Sequence, residues 1–141
     1  MALPSPAMTV AELNDFLAGA FPNAPRTHRV TDVTAAGVRL HLPIGREHER
    51  PGGTVSGPAL MGLADGAAWL ATLSRIGPVA LAVTSSLTIN FLRKPPLDVD
   101  LVAEAELLKL GRRLSVTQVH LRSGDLLVAQ ATVTYAIPAT D

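Results

Sequence analysis

The chain has 141 residues, one ordinary domain's worth, and a chain of that length buries roughly 68% of the surface it exposes when unfolded. Twelve Lys and Arg balance twelve Asp and Glu, while 48% of residues are hydrophobic and 17% charged, which excludes a disordered chain and a basic nucleic-acid module. The absence of cysteine excludes a disulfide scaffold, a thiolate nucleophile and cysteine-ligated zinc or iron–sulfur centres, leaving the expectation of a single cytoplasmic domain over 1–141.

The first ten residues, MALPSPAMTV, lack a basic n-region and carry two prolines, so no secretion signal is expected and 1–7 reads as a loose arm. Thr9-Val10-Ala11-Glu12 matches a capping box. Val10, Leu13, Phe16, Leu17 and Ala20 then fall at helical spacing, and Phe21-Pro22 closes this short amphipathic helix. Residues 27–34 and 37–43 alternate around Ala35-Ala36-Gly37, the signature of a hairpin. Gly45 to Thr54, GREHERPGGT, reads as an exposed loop.

Ser56-Gly57-Pro58 opens a second helix, with proline in the first turn where its missing N–H costs nothing. From Ala59 to Leu73 nearly every residue is apolar, so the helix is expected to be covered on almost all sides, and Gly77-Pro78 ends it. A mid-bilayer Asp65 costs roughly 2.5–3.5 kcal/mol, so the segment is read as buried in protein rather than crossing a membrane. The surplus of apolar surface predicts a homo-oligomer, a dimer or a dimer of dimers.

Beyond Pro78 the period is two throughout. Leu81, Val83, Ser85, Leu87, Ile89 and Phe91 share a face, and Arg93-Lys94-Pro95-Pro96 makes a turn. Val99, Leu101, Ala103, Ala105 and Leu107 alternate with Asp100, Glu104 and Glu106. Gly111-Arg112-Arg113 turns the chain again, and Ser123-Gly124-Asp125 separates the runs Leu114–Leu121 and Leu126–Ala136. The expectation is four strands in meander, within an α+β fold of about six antiparallel strands wrapped around one long central helix.

Two features carry candidate chemistry. Asp65 is the one ionisable residue between Gly57 and Ser74, and Gly62 and Gly66 thin the helix beside it for a close approach. A buried carboxylate needs a partner or a cavity, so either a hydrogen-bonded structural role or a reactive one fits. The second is the helix N-terminus, whose Ser56-Gly57 amides suit either a plain cap or a carbonyl that becomes an oxyanion. Eight residues separate Gly57 from Asp65, about 12 Å along a helix. One carbonyl cannot touch both in one chain, so a catalytic role for the pair requires a dimer.

GGTVSGPALMGLADGAAWLA resembles the motif of the phenylacetate-pathway branch of hotdog-fold acyl-CoA thioesterases, His-Gly-Gly followed by a helix bearing Asp or Glu. Ser56-Gly57-Pro58 falls on His-Gly-Gly and Asp65 on the carboxylate, and the likeness runs through VTSSLTINFLRKPP and AELLKLGRRL to AQATVTYAIP. The resemblance implies that the Gly57 amide polarises a thioester carbonyl and that Asp65 of the facing subunit is nucleophile or general base. It implies that Arg50 helps to hold nucleophile or substrate, and that Thr84 supplies a hydroxyl near the carboxylate. Ser56 and Pro58 depart from the pattern, lacking an imidazole and an amide.

Arg93, Lys94, Lys109, Arg112 and Arg113 lie in the turns flanking one strand, either as solvated turns or as a clamp for the phosphates of coenzyme A. The histidines, His28, His41, His48 and His120, show no i,i+4 pair, so no metal is expected, and none lies near the central helix where a hotdog dehydratase needs one. The resulting expectation is acyl-CoA hydrolysis without a cofactor, coenzyme A entering as part of the substrate, and with neither a nucleic-acid nor a membrane partner. A non-catalytic hotdog protein holding an acyl-CoA or another apolar ligand is the alternative.

Overall fold

The computed structural model describes residues 2–23 and 28–139. Helix α1 (Val10–Ala20) starts at the capping box: Thr9 Oγ1 accepts the Glu12 N–H at 3.1 Å, and the Glu12 carboxylate takes the Thr9 N–H at 3.1 Å. The Asn14 side chain stitches this helix to the sheet, donating to the Val30 carbonyl and accepting the Val30 N–H, each at 2.9 Å. The arm before α1 is docked rather than loose. Leu3 packs on the core, Met8 is buried, and the Ala7 N–H reaches the Ser74 carbonyl at 2.7 Å, one of the acceptors a helix C-terminus leaves open.

Strands β1 (Arg29–Val33) and β2 (Gly37–Leu42) form the expected hairpin, with Val38, Leu40 and Leu42 buried; Thr27 of the predicted span lies outside the described residues. The stretch read as an exposed loop folds further. After a 3-10 turn over Arg46–His48, β3 (Glu49–Arg50) and β4 (Thr54–Val55) pair around Gly52 and Gly53, whose φ values of 104° and 77° give the reversal that glycine permits. His48 is buried and its Nδ1 accepts the Gly45 N–H at 3.0 Å.

Helix α2 (Gly57–Ile76) is capped by Ser56, and Gly77, at φ 92°, ends it with its N–H on the Leu73 carbonyl at 2.9 Å. Its coverage is all-round only in its second half, where every residue from Leu70 to Arg75 is buried; in its first half Leu60, Leu63, Ala64, Ala67 and Ala68 are buried while Met61 and Gly62 are exposed, so there the expected all-round burial becomes one-sided. Among the described residues no helix is long and apolar enough to cross a membrane.

Strands β5 (Val83–Phe91), β6 (Leu101–Leu110), β7 (Leu114–Ser123) and β8 (Leu126–Ala136) complete a six-stranded antiparallel sheet in the order β1-β2-β6-β7-β8-β5. The meander therefore holds only for β6 to β8. Tight turns join those three strands as hairpins and leave the β8 edge to β5, so Arg93–Pro96 begins a crossing from one side of the sheet toward β6 rather than a hairpin turn. On that crossing, the Pro95 carbonyl accepts the Val55 N–H at 3.1 Å, fastening β4 to it.

Candidate active site

The first turn of α2 leaves one donor over. The Ser56 N–H is taken by the His48 carbonyl at 2.7 Å, the Ala59 N–H by Ser56 Oγ at 3.3 Å and the Leu60 N–H by the Ser56 carbonyl at 3.2 Å. Pro58 has no N–H, so among the described residues the Gly57 amide is the one in this turn without an acceptor. The Phe91 ring lies beside Gly57, with Cζ 3.4 Å from where a Cβ on Gly57 would stand.

Two turns further along α2, Asp65 is half-buried and accepts two hydroxyl donors on a single oxygen. Thr84 Oγ1 donates to Oδ1 at 2.7 Å and the Tyr135 hydroxyl donates to Oδ1 at 2.8 Å, the latter also lying 3.2 Å from the Asp65 carbonyl. A β-bulge makes this possible. Thr84 pairs with Tyr135 and Ser86 with Thr134, so Ser85 is the extra residue. Strict alternation from Leu87 would point Ser85 inward and Thr84 outward. The bulge exchanges them, turning Thr84 to the face that carries α2 and Val83 to the opposite one, which corrects the face assigned from periodicity. Burial pushes the Tyr135 hydroxyl well above the ordinary tyrosine value; the Asp65 hydrogen bond and charge act in the same direction, against Thr84.

Sequence reasoning missed Tyr135. It sits at an inward position of β8, in step with Ala131 and Val133, and a buried phenol requires a partner. That requirement, set beside an unpaired Asp65, was the available signal.

The family model described as the thioesterase superfamily matches residues 52–130. The chain belongs to the thioesterase superfamily. A protein of Silicibacter sp. TM1040, provisionally assigned as a thioesterase, is 35% identical over 96% of this chain and 95% of its own, with a TM-score of 0.87. A mutant phenylacetic acid degradation protein PaaI of Thermus thermophilus is 28% identical over 79% of this chain and 94% of its own, with a TM-score of 0.71. A Streptococcus pneumoniae protein crystallised with coenzyme A shares the fold at 22% identity, covering 82% of this chain and 91% of its own, with a TM-score of 0.72. Comparison with curated proteins returned no match. The six-stranded sheet against one long helix is the hotdog fold of this superfamily.

In this thioesterase-superfamily chain the predicted site residues divide into two groups. Arg50 on β3, Ser56, Gly57, and Arg93 and Lys94 just beyond β5 belong to one end of the sheet, where the β3-β4 hairpin is tied to Pro95 and Pro96. Lys109, Arg112 and Arg113 lie at the other end, with Asp65 and Thr84. Strand β6 runs between the two basic groups, and its ten residues span about 30 Å, so one chain does not bring the five cations together. Arg113 is partly engaged already, donating from Nε to the Ile137 carbonyl at 3.2 Å. Among the described residues nothing approaches Gly62 or Gly66: a Cβ on either would meet no atom within 4 Å.

Other charges pair on the outer face of the sheet. Glu104 is held below the usual carboxylate range there by its hydrogen bond from Arg122 at 2.6 Å, aided by Arg39. A depression of about 230 Å³ beside them, lined by Arg39, Glu104, Glu106, His120 and Arg122 among others, includes no residue of α2. Burial, and then His48, lowers the pKa of His28.

Proposed function

We propose that the chain hydrolyses acyl-CoA thioesters at a site shared between two copies of itself. The observation that carries this is the split of the machinery along α2: an unbonded amide at Gly57 and a two-hydroxyl carboxylate at Asp65, about 12 Å apart. Strand β5 is one of the two sheet edges, and Leu81, Val83, Phe91 and Leu92 along it are more than half exposed, as is suited to pairing with a second copy. An antiparallel pairing of two β5 edges about a two-fold axis sets the Phe91 end of one copy against the Thr84 end of the other. The same operation carries Gly57 of one copy toward Asp65 of its partner, past the open space at Gly62 and Gly66.

In that site the Gly57 N–H, at the positive end of the α2 dipole, donates to the thioester carbonyl oxygen and stabilises it as negative charge develops. Asp65 of the facing copy either bonds the carbonyl carbon itself or takes a proton from the water that does. The C–S bond breaks, coenzyme A leaves as its thiolate and is then protonated, and water supplies the oxygen of the free acid. Arg93 and Lys94 of one copy, with Lys109, Arg112 and Arg113 of the other, surround the phosphates; Arg50 assists beside Gly57. The chemistry calls for no metal or redox group, and Ser56 and Pro58 leave the Gly57 donor intact. The Streptococcus protein crystallised with coenzyme A supports a ligand of this kind in the fold.

The test is thiol release from a panel of acyl-CoAs, with sedimentation of the same sample. Hydrolysis by a dimer or larger assembly is expected. Binding of coenzyme A without hydrolysis would give the protein a carrier role, and a monomer at micromolar concentration would exclude the shared site.

A further inference from the structure

We propose that Tyr135, together with Thr84, is a positioning residue that pins one oxygen of Asp65, leaving Oδ2 as the oxygen that reacts. This rests on the thioesterase reading and assigns the two carboxylate oxygens different tasks. Both hydroxyls lie closest to Oδ1, at 2.7 and 2.8 Å, with the Asp65 carbonyl a longer second acceptor for Tyr135 at 3.2 Å, while Oδ2 has no hydrogen-bond partner among the described residues. A carboxylate on a short side chain swings about its last torsion, and one donor would follow it. Two donors arriving from adjacent strands, paired directly opposite each other, fix which oxygen faces the sheet and which faces away.

The donors are well suited to this work. Tyr135 is buried on the sheet's inner face, where its ring has little room to shift, and its raised pKa keeps the donating proton in place at every pH near neutrality. Oδ1, with two donors, has its charge drawn off, and Oδ2 keeps an unengaged lone pair. In the base route Oδ2 takes the water proton as the water oxygen bonds the acyl carbon; the C–S electrons leave with sulfur, and the proton passes from Oδ2 to the thiolate. In the nucleophile route Oδ2 itself bonds the acyl carbon as sulfur leaves with the C–S electrons; water then divides the anhydride, its hydroxyl bonding the acyl carbon, Oδ2 returning to Asp65 as carboxylate and the remaining water proton passing to the thiolate. Either way Tyr135 touches no reacting atom and acts through Asp65.

Tyr135→Phe keeps the ring and deletes the donor. In the full chain, kcat on the best acyl-CoA should fall about 10-fold with KM unchanged and the melting temperature little altered, as expected for a misdirected but present catalytic group. Thr84→Val should act likewise, and the double variant should fall short of the product of the two, because both donors serve one oxygen. A second readout needs no turnover: Tyr135 is the only tyrosine, so phenolate absorbance titrates it alone, and Asp65→Asn should move that titration to lower pH. Unchanged kcat, a change confined to KM, loss of kcat only in step with a collapse in melting temperature, or a titration indifferent to Asp65→Asn would each overturn the assignment. A wild-type protein that hydrolyses no acyl-CoA overturns the thioesterase reading and the catalytic role with it, while the phenolate shift persists.

Discussion

At the Gly57 end of α2 the proposed working group is a backbone amide, left without an acceptor because it opens the helix, while the Ser56 and Ala59 N–H groups beside it are taken by the His48 carbonyl and Ser56 Oγ. At the Asp65 end it is a side chain held by hydroxyls from β5 and β8, one of them delivered by a bulge. The first end depends on where a helix begins and tolerates changes in side chain, which is why serine and proline around Gly57 leave the donor standing. The second depends on the register of two strands and on three side chains of defined length. A backbone-built half therefore resists substitution, and a side-chain-built half is open to tuning.

The sharpest break in that comparison is Asp65→Asn, which keeps the shape of the side-chain half and removes its charge. Turnover should drop at least ~10²-fold, with the melting temperature little changed because the amide oxygen can still accept both hydroxyls; assay and calorimetry on one preparation check both. Next in size is complementation. Gly57→Pro deletes the amide at a helix position that accepts proline, and this variant and Asp65→Asn should each be inactive. Refolded together they should recover about a quarter of wild-type activity, since half the dimers are mixed and each holds one complete site. No recovery would place both halves in one chain.

Arg112→Ala with Arg113→Ala should weaken coenzyme A binding about five-fold and flatten its salt dependence, measured by titration calorimetry, without unfolding the chain. The smallest effect is a pH slope. The Tyr135 pKa is higher folded than unfolded, so its contribution to stability is complete below about pH 10 and is lost as pH rises further. The difference in melting temperature between wild type and Tyr135→Phe should hold to that pH and shrink above it.

Much of the scaffold was legible because its signals are local. Thr9 and Glu12 cap α1, Ser56 to Gly77 delimit α2, and alternation marks the strands. Strand partners are not local: nothing in the spacing from Phe91 to Leu101 says that β5 lies beyond β8 rather than beside β6. A bulge leaves no period of its own, so Thr84 was placed by resemblance while alternation put it on the wrong face. The five cations are close in sequence, but the strand between Arg93 and Arg112 sends its two ends apart. His48 and the docked arm were hidden for a related reason, each being fixed by contacts that no periodicity announces.

The one tryptophan of the chain, Trp69, follows Asp65 by a single helical turn and packs against Phe16 at 5.5 Å and Phe21 at 6.0 Å. Both rings come from α1 and its cap, so the indole stands where the amino-terminal helix meets the face of α2 that bears the carboxylate. This gives the molecule a built-in lamp. Without any dye or label, the colour and brightness of its emission should follow whether α1 stays seated on α2.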